Sequence, residues 1–480
     1  MTDTALEANI SLFSGGHWHS APTTMLVENP YNGKTLGHVA CATLSDVECA
    51  ISSAVRGQRE MRRLSSSERA AILHRTADAL ETRAVQFAEM ITAETGKPVR
   101  AAAKEVARAV NTLRLSAEEA GRLTGETIAF DSVSGGEARS GYYIYEPVGV
   151  VVAITPFNDP LNLVCHKLGP AFAAGNSIIL KPAEQAPLVA SMLVKLFLSA
   201  GLPHEAISLL TGYGRDFGAA LVGHDDVAMV SFTGGASVGA DIVSASGIKR
   251  VGMELGANSP VIVTEDAEIE KAAAACVSGS FWAAGQNCVG VQRIFVHASI
   301  YDAFRDLMVD KTKALVVGDP MMPLTDVGPM ICRREAERLA EWTEEAIAGG
   351  AKLLTGGKAE GNIFLPTILE GVPRNARIAC QEVFGPVVSL FSYSDLDEAI
   401  AEANAVDYAI HAAIFTQNIR MAHHAARQLQ AAGVMINDST DYRLDAMPFG
   451  GAKRGNLGRE GVRFAIREMS QTKVVCFNDG

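Results

Sequence analysis

From residue 142 onward the chain alternates short apolar runs with segments of helical periodicity. This alternation constrains the fold more than any other feature. The run 148–155 is continuously apolar and reads as a buried strand. It is followed by helix 161–174, strand 177–181, helix 187–200, strand 207–211, strand 227–232 and a helix from about Ala236. Apolar strands separated by helices form a parallel sheet covered on both faces. A second α/β unit begins at Glu254, with strand 260–263, helix 268–284, strand 292–296, helices 301–314 and 333–349, and strand 387–391. Before the alternation, residues 66–120 read as helices, opened by the capping sequence Ser66-Ser67-Glu68. Between them and residue 142 lie Gly121, Gly125, Gly135, Gly136 and Gly141, so 121–141 reads as a loop or extended arm leaving the domain. The β-like stretch 472–477 is placed to pair with that arm.

The length of 480 residues suffices for two or three domains. The expected division is 1–120 with 142–253 as one unit, 254–445 as a second, and 121–141 with 446–480 as bridging segments. A formal charge of −12 argues against nucleic acid or an anionic membrane as the main partner, because both demand a basic face. It leaves an anionic small molecule open, since a pocket needs only one or two local cations. The eight cysteines form no C-x-x-C pair, so neither a zinc site nor a dithiol motif is expected, and no metal. Their scatter suits a reducing compartment. The first Lys or Arg is Lys34, which does not fit a secretory leader, and the apolar stretch 161–180 is broken by His166, Lys167, Pro170 and Asn176. A cytoplasmic protein is the expectation.

Three punctuated segments carry chemistry. Gly285-Gln286-Asn287-Cys288 presents a thiol with no bulky residue before it. Glu254-Leu255-Gly256 presents a carboxylate with little polar company. Thr155-Pro156-Phe157-Asn158 presents a side-chain amide. A nucleophile, a base and an oxyanion donor are the parts needed for covalent chemistry on a carbonyl. Each has a plainer alternative: a core cysteine, a surface carboxylate at a strand end, an Asx turn before Pro160.

Together with Leu180-Lys181-Pro182-Ala183-Glu184, Phe232-Thr233-Gly234-Gly235, Glu382-Val383-Phe384-Gly385-Pro386 and Pro448-Phe449-Gly450-Gly451, these segments resemble the aldehyde dehydrogenase superfamily in order, from about residue 20 to 475. The resemblance implies that superfamily's α/β fold: a Rossmann-like cofactor domain, an α/β catalytic domain and a small β oligomerisation arm, assembled as a homodimer or homotetramer. It implies oxidation of a small aldehyde to the acid with NAD, or NADP. Cys288 would be the nucleophile, Asn158 the oxyanion donor and Glu254 the base that activates water. The cofactor would lie against Thr155, Pro156, Phe157, Lys181, Glu184, Phe232, Thr233, Gly234, Gly235, Val238, Leu255, Gly256, Glu382 and Phe384. Thr233-Gly234-Gly235 opens a helix, where a pyrophosphate meets free N–H groups. Many members of the superfamily carry Ser where Gly235 stands. Glu184 would accept from the adenosine ribose hydroxyls and repel a 2′-phosphate, which favours NAD.

For substrate, the stretch 437–448 resembles the subgroup containing lactaldehyde, succinate-semialdehyde and phosphonoacetaldehyde dehydrogenases. Arg108 and Arg443 are candidates to hold an acidic group; surface or interdomain arginines are the equal alternative. Asn287 stands where relatives using phosphorylated or phosphonate substrates often carry Arg directly before the Cys, and Asp159 where many relatives carry an aromatic residue or His. Asp159 would repel an anion unless paired with an Arg, or would bind a substrate hydroxyl or amine. A CoA-acylating enzyme and a catalytically silent member of the fold are the competing expectations, with a thiol esterase as a minor one. Retention of Glu254, Cys288 and Asn158 favours hydrolysis.

Overall fold

The computed structural model describes residues 8–478. Its first large sheet has eight strands in the order Asn456–Leu457, Arg250–Glu254, Val227–Thr233, Val150–Ile154, Ser177–Lys181, Ile207–Leu209, Leu12–Ser14, His17–His19. The five from Arg250–Glu254 to Ile207–Leu209 are mutually parallel, and the outer strands attach antiparallel. Apolar clusters on both faces of this sheet explain why Val150–Ile154 and Ser177–Lys181 read as unbroken apolar runs. The stretch 161–180, too broken for a membrane span, is core: every residue of helix Asn162–Ala174 is buried. Among the described residues, no helix is long and apolar enough to cross a membrane.

The second sheet has seven strands in the order Lys352–Thr355, Thr367–Glu370, Val387–Tyr393, Val291–His297, Ser259–Val263, His411–Phe415, Gly433–Ile436, and only Lys352–Thr355 runs antiparallel. Four residues, Leu255 to Asn258, carry the chain from the end of Arg250–Glu254 to the start of Ser259–Val263. Glu254 is therefore the last residue of its strand in one sheet, at the seam with the other.

Several expectations need adjustment. The arm extends past 121–141, because strand Arg139–Pro147 pairs along its whole length with Ser470–Asn478 and at Tyr142 and Tyr143 with Glu126–Thr127. Residues 456–457 belong to the first sheet rather than to a bridging tail, since they pair with Met253 and Glu254. The N-terminal strands and helix Leu44–Arg63 lie outside the elements read from the sequence; the helix carries a Thr43–Asp46 capping box and buries Val47, Ala50, Ile51, Ala54 and Met61 at helical spacing, a signal that was readable. Helix 268–284 stops early. Regular helix ends at Phe281, and Ala283, Ala284 and Gly285 follow with φ of 50°, 56° and 66°. Two alanines read as helix formers, but tertiary context overrides that preference. A side chain on Gly285 would collide with the Gly385 carbonyl, so this turn is held by close backbone approach.

Candidate active site

The seam between the sheets opens into a cavity of about 700 Å³. The first sheet contributes the C-terminal ends of its parallel strands, where ligands bind in open α/β sheets. Thr155, Pro156, Phe157 and Asn158 follow Val150–Ile154; Lys181 and Glu184 lie at and beyond the end of Ser177–Lys181. Phe232, Thr233, Gly234, Gly235 and Val238 span the turn from Val227–Thr233 into helix Ala236–Ser246. Glu254, Leu255 and Gly256 complete this wall, and the second sheet supplies Cys288, Glu382 and Phe384.

Cys288 is half-buried. Burial pushes its thiol up to about 12; the Arg443 guanidinium pulls it back, while Glu382, Glu254 and Asp159 add to the rise. The thiol is accordingly protonated at neutral pH until a base or a further positive charge arrives. Glu254 and Asn158 are both buried on the same cavity. Phe157 meets Phe384 edge to face at 5.9 Å, linking the two walls.

The adenosine end predicted from sequence is built differently from a bare carboxylate. Glu184 accepts the Gly214 N–H at 3.0 Å, at the start of helix Gly214–Gly223, and burial lowers the pKa of Lys181 against the opposing field of Glu184. Toward the other end, Glu382 accepts the Ala257 N–H at 3.1 Å. Burial raises its carboxyl to about 7, with that N–H and Arg338 opposing. A Cβ on Gly256 would overlap the Glu382 carboxylate, so glycine is required for this approach. A dinucleotide fits the residues present. The turn at Gly235 leaves open space and opens a helix whose first N–H groups have no side-chain cap, and the carboxylates of Glu184 and Glu382 line the same cavity, able to accept from hydroxyls.

The substrate candidates separate. Arg443 lines the cavity, its guanidinium 3.7 Å from the centre of the Phe449 ring and donating to Glu460 at 3.0 Å. Glu460 also accepts from Lys167 at 3.2 Å; burial opposes its ionisation, but Lys167 and Arg443 outweigh it and bring the carboxyl down to about 2. Arg108, Asp159 and Asn287 do not line the cavity. Arg108 donates to Asp159 at 3.3 Å and to Asp445 at 2.9 Å, so the expected pair of arginines does not converge. The side-chain oxygen of Asn287 accepts the Val289 N–H at 3.2 Å and shapes the turn through Cys288.

Sequence reasoning missed Glu460, Leu163, Ile410 and the face of helix Arg333–Ala348 that lines the cavity. Arg334, Arg338 and Trp342 recur there at spacing four, a periodic signal that was readable. Arg338 stacks 4.6 Å from the Trp342 ring and donates to the Val383 carbonyl at 2.7 Å, bracing the segment that bears Glu382.

A profile of the aldehyde dehydrogenase family matches residues 18–475. The chain belongs to the aldehyde dehydrogenase family. It is 50% identical over 452 residues to aspartate-semialdehyde dehydrogenase 1 of Pseudomonas canavaninivorans, covering 94% of this chain and 96% of that protein. It is 44% identical over 478 residues to 3-sulfolactaldehyde dehydrogenase of Priestia megaterium, covering 100% of both. Among solved structures, glyceraldehyde-3-phosphate dehydrogenase from Methanocaldococcus jannaschii in complex with NADP superposes with a TM-score of 0.91 at 39% identity, over 95% of this chain and 99% of that one. This aldehyde dehydrogenase is an oxidoreductase that uses NAD(P) to convert a small aldehyde to the acid.

Proposed function

We propose that Cys288 is the nucleophile, Asn158 the oxyanion donor and Glu254 the base, and that the substrate is a small aldehyde bearing an acidic group, of the semialdehyde type. The observation that carries the reading is the placement of a thiol, an amide and a carboxylate around one cavity at the seam of two sheets. The Cys288 thiol gives up its proton to solvent, and the thiolate adds to the aldehyde carbon to form the thiohemiacetal oxyanion. The Asn158 amide donates to the oxyanion, an interaction worth about 3–4 kcal/mol in a preorganised site. When bound, the oxidised nicotinamide would supply the hydride acceptor and a positive charge. The carbon leaves that step as a thioester on Cys288. Glu254 then takes a proton from water, and hydrolysis frees the acid and the thiol. A buried carboxylate beside the thioester favours water over CoA as the acceptor.

Arg443 supports the acidic substrate. It is the cation whose field lowers the Cys288 pKa, and its partner Glu460 is shared with Lys167, which leaves the group of three one positive charge in excess. The similarity to enzymes named for aspartate semialdehyde and 3-sulfolactaldehyde points the same way. Asp159 poses little obstacle, being paired with Lys97 and Arg108. Self-association through the arm is also proposed. Tyr142, Ile144 and Phe477 are exposed on one face of its strands, an apolar patch suited to a second copy.

A panel of neutral and acid-bearing aldehydes, followed at the reduced-nicotinamide absorbance band, tests the reading. Cys288→Ala should abolish oxidation while dinucleotide binding stays measurable. Arg443→Met should raise KM about tenfold for acid-bearing aldehydes only; an equal rise for neutral ones would rule out the anion contact.

A further inference from the structure

Lysine is rarely buried, yet Lys97 is only 4% exposed. Its ammonium donates to Glu105 and to Asp159, and lies 4.9 Å from the centre of the Trp282 ring. Each contact leads to a catalytic segment. Asp159 is the neighbour of Asn158. Glu105 accepts the N–H groups of Leu161 at 2.9 Å and Asn162 at 3.1 Å, which fixes the start of the helix that follows Asn158. Trp282 opens the left-handed turn leading to Cys288. A gap of about 10 Å³ is all that remains between Thr95 and Lys97 on one side and Phe157, Asn158, Ala283 and Gln286 on the other.

We infer that Lys97 is a positioning residue for the oxidation: its single ammonium holds the oxyanion donor and the nucleophile turn at a fixed separation. It touches neither substrate nor cofactor, being absent from the wall of the large cavity. The inference rests on the proposed roles of Cys288 and Asn158. A mere stability role is the competing account, and charge arithmetic separates the two. Around Lys97, three carboxylates (Glu105, Asp159, Asp445) face two cations (Lys97, Arg108). Lys97→Met leaves three against one. Adding Asp159→Asn leaves two against one and restores the original excess of a single negative charge.

The experiment measures kcat, KM, dinucleotide Kd and Tm on the full chain. A misplacement of about 1 Å costs roughly 10²-fold in rate. Lys97→Met should therefore lose about 10²-fold in kcat with dinucleotide Kd within twofold. The double variant should regain Tm but not kcat. A double variant with the parent Tm and kcat within threefold of the parent would overturn the inference. Asp159→Asn alone keeps the Lys97–Glu105 pair and decides the matter if Lys97→Met does not fold: kcat should fall about tenfold, and an unchanged kcat would count against positioning. Asn158→Ala is the control. If it turns over normally, the oxyanion assignment has failed; if it is impaired while the Lys97 and Asp159 variants are not, only the inference has failed.

Discussion

The two sheets meet at one cavity but present opposite ends to it. The first offers C-terminal strand ends: Thr155–Asn158, Lys181–Glu184, Thr233–Gly235 and Glu254 all follow or close parallel strands. The second offers segments that precede its strands, with Cys288 ahead of Val291–His297, and Glu382 and Phe384 ahead of Val387–Tyr393. The backbone differs accordingly. On the first wall the residues that line the cavity have ordinary φ. On the second, Ala283, Ala284, Gly285 and Phe384 take positive φ. A C-terminal strand end turns into a helix N-terminus and offers N–H groups to phosphate without strain. Bringing a side chain forward from the start of a strand requires a sharper reversal. The first wall is built on relaxed backbone, and the segment that carries Cys288 on backbone that tertiary packing has to hold.

The largest test of this division crosses the seam. Glu254 belongs to the first sheet but acts, on our reading, on the thioester made by the second. Glu254→Gln should slow steady-state turnover by about 10²–10⁴-fold, the usual range for removing a general base. The first turnover should still release reduced nicotinamide in a burst. A stopped-flow trace without that burst would place Glu254 in thiol activation rather than in hydrolysis.

A smaller effect is expected from stressing the second wall. Gly285→Ala puts a Cβ against the Gly385 carbonyl at φ 66°. Calorimetry should find a loss of about 2–4 kcal/mol, a strained backbone cost plus a forced shift. Loss below 0.5 kcal/mol would mean that the turn has room to move and does not fix the thiol.

Cofactor preference probes the first wall. Glu184 holds the Gly214 N–H with one carboxylate oxygen. Its charge is expected to repel a 2′-phosphate by about 1–2 kcal/mol in a solvated cleft. Glu184→Gln should move the NADP-to-NAD ratio of kcat/KM about tenfold toward NADP, and an unmoved ratio would assign the preference elsewhere. Glu382, on the other wall, adds a pH signature of comparable size. Its carboxyl is raised by burial to about 7. Protonation below that value removes its charge and part of its capacity to accept from ribose hydroxyls. KM for the dinucleotide should rise about tenfold from pH 8 to pH 6, by the titration of one such group. Glu382→Gln should flatten the profile. For stability the sign is opposite. A raised folded pKa means that the folded state favours the protonated form, so this group's contribution falls as pH climbs from 4.5 toward 7.

The same contrast explains what was legible. The first wall could be read because parallel strands leave unbroken apolar runs and their turns carry Gly and Pro at fixed places. Residues 148–155 and 232–235 announce both. The second wall was read only as a motif around Cys288. The reversal at Ala283 and Ala284 is invisible, since both residues are good helix formers and the reason they turn lies about a hundred positions away, at Gly385. Arg108 misled for a related cause. A lone arginine on a helix has the chemistry of an anion clamp, and nothing local says that Asp445 is its partner across 337 residues. Lys97 gave no signal at all, because its meaning lies in three partners on three separate segments.

The smallest prediction asks whether the nucleophile turn stores strain or merely tolerates it. Ala284 has φ 56°, where a side chain costs roughly 1–2 kcal/mol relative to glycine. Replacing it with Gly relieves that cost but adds about 0.5–1 kcal/mol of unfolded-state entropy to overcome. Ala284→Gly should therefore raise stability by at most about 1.5 kcal/mol, and by less once the loss of the buried methyl is counted. If the alanine only tolerates its conformation, kcat stays put while Tm rises slightly. If the methyl group presses the turn toward Cys288, kcat falls although the protein is more stable. That outcome would mean the second wall depends on the side chain at 284 to keep the thiol aimed at Asn158.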